Sequence, residues 1–119
     1  MQEKVLIYQV LPRLYGNKCT ANVPAGTLAD NGCGKMNDFT DIELKRIHDF
    51  GFTHIWYTGL IEHATQTDYS EYDIAQDHPA VVKGVAGSPY AIKDYYDIDP
   101  DLATNVPGRM KEFTQLVKR

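Results

Sequence analysis

The chain has 119 residues, room for one domain of ordinary size and not for two. Hydrophobic residues make up 43% and charged residues 24%, an average globular composition that excludes a disordered chain. With 12 Lys and Arg against 16 Asp and Glu the formal charge is -4, the wrong sign for neutralising phosphates, so neither nucleic acid nor an anionic membrane surface is expected as a partner.

Met1-Gln2-Glu3-Lys4 opens the chain without the basic start, apolar stretch and small-residue cleavage site of a secretory leader. Secreted, periplasmic and cytoplasmic placements all stay open. The longest near-apolar run, Val5 to Val10, is far short of the roughly 20 residues that a membrane helix needs. Val5-Leu6-Ile7-Tyr8-Gln9-Val10-Leu11 is β-branched and aromatic, apolar on both faces, and stops at Pro12; it predicts a buried strand of the parallel type. Gly16 to Asn37 has glycines, asparagines and a proline without periodicity, the composition of a long surface loop. Cys19 and Cys33 lie in that stretch, and their spacing permits either a small disulfide loop or two separate thiols; the low cysteine content favours thiols.

Thr40-Asp41-Ile42-Glu43 has the form of a capping box, in which Thr40 accepts from the backbone at Glu43 and Glu43 reaches back. A helix from Thr40 to about Phe50 follows, with Leu44, Ile47 and Phe50 on one side, Phe39 and Leu44 as its staple, and Gly51 as its left-handed cap with Phe52 beyond, placed to touch Ile47. Thr53 to Thr58 then reads as a second strand ended by Gly59, so the order strand, helix, strand predicts a parallel crossover. Gly59 to Val106 holds many tyrosines, glycines and prolines, short strand-like pieces and no helical stripe. Structureless connections longer than about 12–15 residues usually carry function or signal that elements within them have gone unread. From Pro107 a helical pattern returns, with Met110, Phe113, Leu116 and Val117 on one face. Two strands do not make a covered parallel sheet, so this set of elements reads as part of a larger one.

The usual signatures of catalysis are missing. None of His48, His54, His63 and His78 forms an H-E-x-x-H pair, and neither cysteine lies in a C-x-x-C, so no metal ligands are assigned. Asp97-Ile98-Asp99-Pro100-Asp101 sets three carboxylates at alternate positions, but a calcium loop counted from Asp97 would place Leu102 and Gly108 where Gly and Glu are required. Gly87-Ser88-Pro89 fails as a serine nucleophile elbow, and Gly84, Gly87 and Gly108 form no phosphate loop. What remains is the aromatic and acidic run from Gly87 to Pro100. Tyrosine faces stack on pyranose C–H groups and carboxylates accept from sugar hydroxyls, so the run suits a carbohydrate groove. A tyrosine-rich loop packed on its own domain is the other reading, and from composition alone the commoner one.

Several segments in order resemble the amino-terminal part of the catalytic domain of the α-amylase family, glycoside hydrolase family thirteen. Val5 to Arg13 looks like that family's first barrel strand, and Gly34-Lys35-Met36-Asn37-Asp38-Phe39-Thr40 resembles the entry to its first helix. Leu44 to Gly59 is similar to the first helix and second strand, with Gly59-Leu60 standing where Pro-Ile is usual. Tyr90 with Asp94, Tyr95 and Asp99-Pro100 resembles the tyrosine, Asp-Tyr and Asp-Pro run before the second helix. The resemblance implies an α/β fold: residues 1–119 as the first two β/α units of an incomplete (β/α)8 TIM barrel, in the order strand, helix, strand, long loop, helix.

It also implies a retaining hydrolase acting on an α-glucan or maltooligosaccharide. Such an enzyme uses a nucleophilic carboxylate and a second carboxyl acid/base about 5–5.5 Å apart. In the family these groups and a third, stabilising aspartate come from strands four, five and seven, beyond the elements matched here, so no residue is assigned as catalytic and the chain alone is expected to be inactive. Two substrate contacts carry over. Tyr90 resembles the tyrosine that stacks on the sugar beside the cleaved bond, and Asp94 the aspartate four residues later that helps shape the subsite. Ser88-Pro89 replaces the His-Gly that many members have before that tyrosine. No cofactor is implied for these residues, although a complete enzyme leaves room for calcium elsewhere. Alternatives are a non-catalytic carbohydrate-binding or interaction module, and a family transglycosylase or isomerase. Alone, the chain is expected to oligomerise or swap through its open strand edges and the face of Met110, Phe113 and Val117.

Overall fold

The computed structural model describes residues 3–119. In chain order it contains β1 (Ile7–Val10), the one-turn helix α1 (Pro12–Tyr15), a second single turn α2 (Leu28–Asn31), the helix α3 (Asp41–Asp49), β2 (His54–Tyr57), β3 (Ile61–His63), β4 (Ile92–Ile98) and the helix α4 (Arg109–Lys118), joined by short 3-10 turns. β1 and β2 pair in parallel, with Ile7 beside His54 and Val10 beside Tyr57, and α3 lies in the crossover between them. This is the expected strand, helix, strand unit, with strands somewhat shorter than the sequence pattern.

Thr40 caps α3 as its chemistry predicts, accepting from the Glu43 amide at 3.3 Å. The reciprocal half of the capping box does not form. Glu43 instead accepts from the Tyr15 hydroxyl at 2.6 Å and from Arg46 at 2.8 Å, because packing brings a stronger donor pair to it than the one exposed amide at the cap. Gly51 closes the helix at a φ of 117°, and Phe52 packs on Tyr8, with ring centroids 5.1 Å apart. Phe39 is fully buried, stacked on Tyr15 at 4.8 Å and edge-on to Tyr57 at 5.0 Å. Around it Val10, Met36, Ile98, Leu102, Ala103 and Leu116 form the core.

The stretch that lacked periodicity contains a second sheet. β3 and β4 run antiparallel, with Ile61 beside Ile98 and His63 beside Ile92, and the register shifts on both sides of Glu62. Those irregularities, with Tyr95 and Tyr96 turned out to solvent, break the alternation that marks a strand. β1 is also less covered than its apolar sequence predicts. Val10 is buried, whereas Ile7 and Trp56 are 54% and 53% exposed. The described residues place no third strand beside this pair and no layer over these side chains. α4 buries Leu116 and half-buries Phe113, while Met110 and Val117 face solvent. Cys19 and Cys33 are both free thiols, and no helix among the described residues is long and apolar enough to cross a membrane.

Candidate functional site

The C-terminal ends of two parallel strands open on the same side, and here they open onto a cleft. Gln9, Val10 and Leu11 at the end of β1, Thr58 just past β2, and Pro89 and Tyr90 from the loop before β4 enclose about 310 Å³. Gln9 donates from Nε2 to the Thr58 hydroxyl at 2.9 Å, which ties the two strand ends together and leaves the amide oxygen free to accept. Tyr90 is 72% exposed at the rim. An aromatic face beside an amide and a hydroxyl combines stacking with hydrogen bonding, the pairing that a polar ring-shaped ligand needs.

The loop that presents Tyr90 is held from below by the segment after β3. Gln66 N–H and the Thr65 hydroxyl donate to the Val85 carbonyl at 2.9 and 3.2 Å, Gly87 N–H donates to Lys83 O at 3.0 Å, and His63 Nε2 lies 3.1 Å from Ala86 O. A carbonyl only accepts, so His63 carries its proton on Nε2. Gly87 sits at a φ of 76°, and a Cβ there would fall 1.8 Å from the Ala64 carbonyl oxygen. Gly87→Ala therefore forces the loop away from β3, in addition to the left-handed backbone strain of about 1–3 kcal/mol. The expected result is a folded protein with lower stability and a displaced Tyr90, read as a shifted urea midpoint and lost amide protection at Gln66 and Ala91.

Beneath the loop lies a buried polar network. Asp101 is fully buried and accepts from Arg13 Nη2 at 2.5 Å and from the Tyr69 hydroxyl at 2.6 Å, with the Thr65 hydroxyl at 3.4 Å. Burial first, then the hydrogen bond to Asp101, pushes the Tyr69 hydroxyl up, so it stays a donor. Asp99, also fully buried, accepts the Asp101 amide on Oδ1 at 3.0 Å, while its Oδ2 faces Arg13 and His63, each at 3.6 Å. Burial, then the neighbouring Asp101, pushes the Asp99 carboxyl up to about 7 against the opposing pull of Arg13.

Tyr90 and Asp94, the two expected substrate contacts, are placed differently. Tyr90 borders the cleft, and Asp94 is not among the residues that line it. Asp94 is exposed on β4 opposite Glu62 and accepts the Tyr96 amide at 2.8 Å. Its carboxylate, with those of Glu62 and Asp97, forms a group whose oxygens lie within 4.8 Å of one another. Protein cations answer much of this charge: Arg109 binds Asp97 through two hydrogen bonds at 2.8 and 2.6 Å, and Lys93 lies 3.9 Å from Glu62. Burial works to raise the Asp97 carboxyl, and the Arg109 hydrogen bonds outweigh it and hold it below the usual range.

Sequence reading missed the Arg13, His63, Asp99 and Asp101 network. Its one visible signal was the alternation of carboxylates at Asp97, Asp99 and Asp101, which a calcium-loop test alone could not interpret. A larger hollow of about 680 Å³ lies between the loop after α1 and the Gln66–Ala86 segment, and three of its side-chain amides are engaged: Asn17 donates to Asn31 O, Asn31 to Val23 O and Gln66 to Gly84 O. Comparison with protein families, with curated proteins and with solved structures finds no match to this chain.

Proposed function

We propose that this chain forms the opening part of the substrate wall of a retaining, α-glucan-acting glycoside hydrolase of the α-amylase kind, as the first two β/α units of a (β/α)8 barrel. One observation carries the reading: the exposed Tyr90 ring stands at the rim of a cleft at the C-terminal ends of two parallel strands, where barrel enzymes hold their substrates. The ordered resemblance of four segments to that family supports it, as does the pairing of an aromatic face with the Gln9 amide and Thr58 hydroxyl.

In this reading Tyr90 stacks under the sugar beside the scissile bond, and Asp94 acts from the side, holding the Tyr96 backbone of β4. The nucleophile and the acid/base come from outside these residues, so the chain binds glucan and does not cleave it. Electrophoresis of the chain through a gel containing soluble starch tests this. Retardation that disappears in Tyr90→Ala and persists in Tyr90→Phe is the expected result; equal mobility with and without starch contradicts the reading.

A further inference from the structure

Among the described residues, His63 Nδ1 and Asp99 Oδ2 are buried side-chain atoms without a hydrogen-bond partner, and they face each other at 3.6 Å. His63 Nε2 gives its proton to Ala86 O, so in a neutral ring Nδ1 is a bare lone pair. It then confronts a carboxylate that also offers only lone pairs. Two acceptors, both in residues at most 4% exposed, repel each other unless a hydrogen lies between them.

The surrounding charges leave room for that proton. Arg13 of α1 is taken by Asp101 at 2.5 Å, and Lys93 of β4 is shared by Asp77 at 3.2 Å and Glu62 of β3 at 3.9 Å. The Lys35 ammonium is directed at the backbone carbonyl of Asp101, 2.6 Å away, and not at a carboxylate. Burial pushes up the Cys33 thiol, and burial with Asp101 pushes up the Tyr69 hydroxyl, so neither adds charge. Asp99 shares the Arg13 guanidinium only at 3.6 Å, without a hydrogen bond, so it is the buried carboxylate of the pair whose charge is least answered.

We propose that Asp99 keeps a proton in the folded protein and donates it to His63 Nδ1, and that this shared proton makes His63 the positioning residue for the Ala86–Tyr90 loop. His63 then bridges two elements, accepting from Asp99 on one nitrogen and donating to Ala86 O with the other. Loss of the proton sets the two lone pairs against each other, moves the ring and releases the Ala86 bond, and Tyr90 moves with the loop. The direction with pH follows. The folded carboxyl holds its proton more tightly than an exposed one, its affinity raised from the ordinary carboxyl range to about 7. Loop closure is therefore favoured on the acid side and lost as the pH rises through about 7.

Asp99→Asn separates the proton from its titration. The asparagine oxygen can keep the Asp101 amide bond made by Oδ1, while its N–H group takes the place of Oδ2 and donates permanently to Nδ1. The test is hydrogen-exchange protection at Gln66, Gly87 and Ala91, whose amides bond within and to the loop, followed in the full chain from pH 6 to pH 8 after correction for intrinsic exchange. Wild type is expected to lose protection severalfold across about pH 7, and Asp99→Asn to stay flat. Wild-type protection that does not change with pH overturns the proposal and needs no variant; so does Asp99→Asn following the wild-type curve. Only the purpose of the loop rests on the glucan reading. A pH-dependent loop in a chain that ignores starch leaves the shared proton standing and fails that reading, whereas starch binding beside a pH-independent loop does the reverse.

Discussion

Asp101→Ala is expected to destabilise the fold by about 3–5 kcal/mol, the range for breaking a buried ion pair from one side. Asp101 is fully buried and ties three other parts of the chain to its own: its carboxylate accepts from Arg13 of α1 and from the Tyr69 hydroxyl, and its carbonyl accepts from Lys35. Truncation leaves the Arg13 guanidinium with Asp99 alone, at 3.6 Å, and strands the Tyr69 hydroxyl in the interior. An unpaired buried hydroxyl costs about 1–3 kcal/mol by itself. Asp101→Asn is milder, because an amide oxygen still accepts from Tyr69 while the charge opposite Arg13 is lost. Urea unfolding at neutral pH measures both, with the Ala midpoint far below the Asn midpoint. Near-equal midpoints for wild type and Asp101→Ala would mean that this network does not hold the elements together.

Local chemistry was legible in the sequence where its partners are also local. Thr40 and Glu43 are three residues apart, and the Thr40 half of the cap forms as their spacing dictates. Its other half fails because Tyr15, 28 residues away along the chain, reaches Glu43 first. The parallel pair could be read because β-branched runs flank one amphipathic helix. β3 and β4 could not, since each is interrupted by register shifts and their partners are separated by up to 37 residues, Ile61 to Ile98. The site divides in the same way. Tyr90 was singled out by an ordered set of short segments, and the structure places it at the rim of the cleft. The carboxylates of Asp99 and Asp101 were visible as residue types, but the cation that explains them, Arg13, lies 88 residues before Asp101, and no spacing rule connects them.

On the proposed glucan reading, Tyr90→Ala is expected to have the second large effect, on turnover instead of folding. A ring under a sugar that flattens toward an oxocarbenium-like transition state helps that state more than the ground state, so its removal lowers kcat as well as affinity. If stacking on sugars resembles stacking on bases, the loss is about 1–3 kcal/mol of transition-state binding, roughly 5- to 150-fold in kcat/KM. Tyr90→Phe keeps the face and loses only the hydroxyl, so it should be mild. Asp94→Asn removes a charge but keeps an acceptor for the Tyr96 amide, and its effect should be small if the role of Asp94 is to hold that stretch of β4. Stability should scarcely change in any of the three, because Tyr90 and Asp94 are exposed.

Whether Tyr90 holds glucan is decided by kcat/KM on a soluble maltooligosaccharide, in a protein that joins this chain to the carboxylates the reaction requires, for wild type, Tyr90→Ala and Tyr90→Phe, with folding checked by circular dichroism. Stacking by Tyr90 predicts a large loss in the alanine variant and near wild-type activity in the phenylalanine variant. A well-folded Tyr90→Ala protein with unchanged kcat/KM would contradict it and return Tyr90 to the role of a surface loop residue.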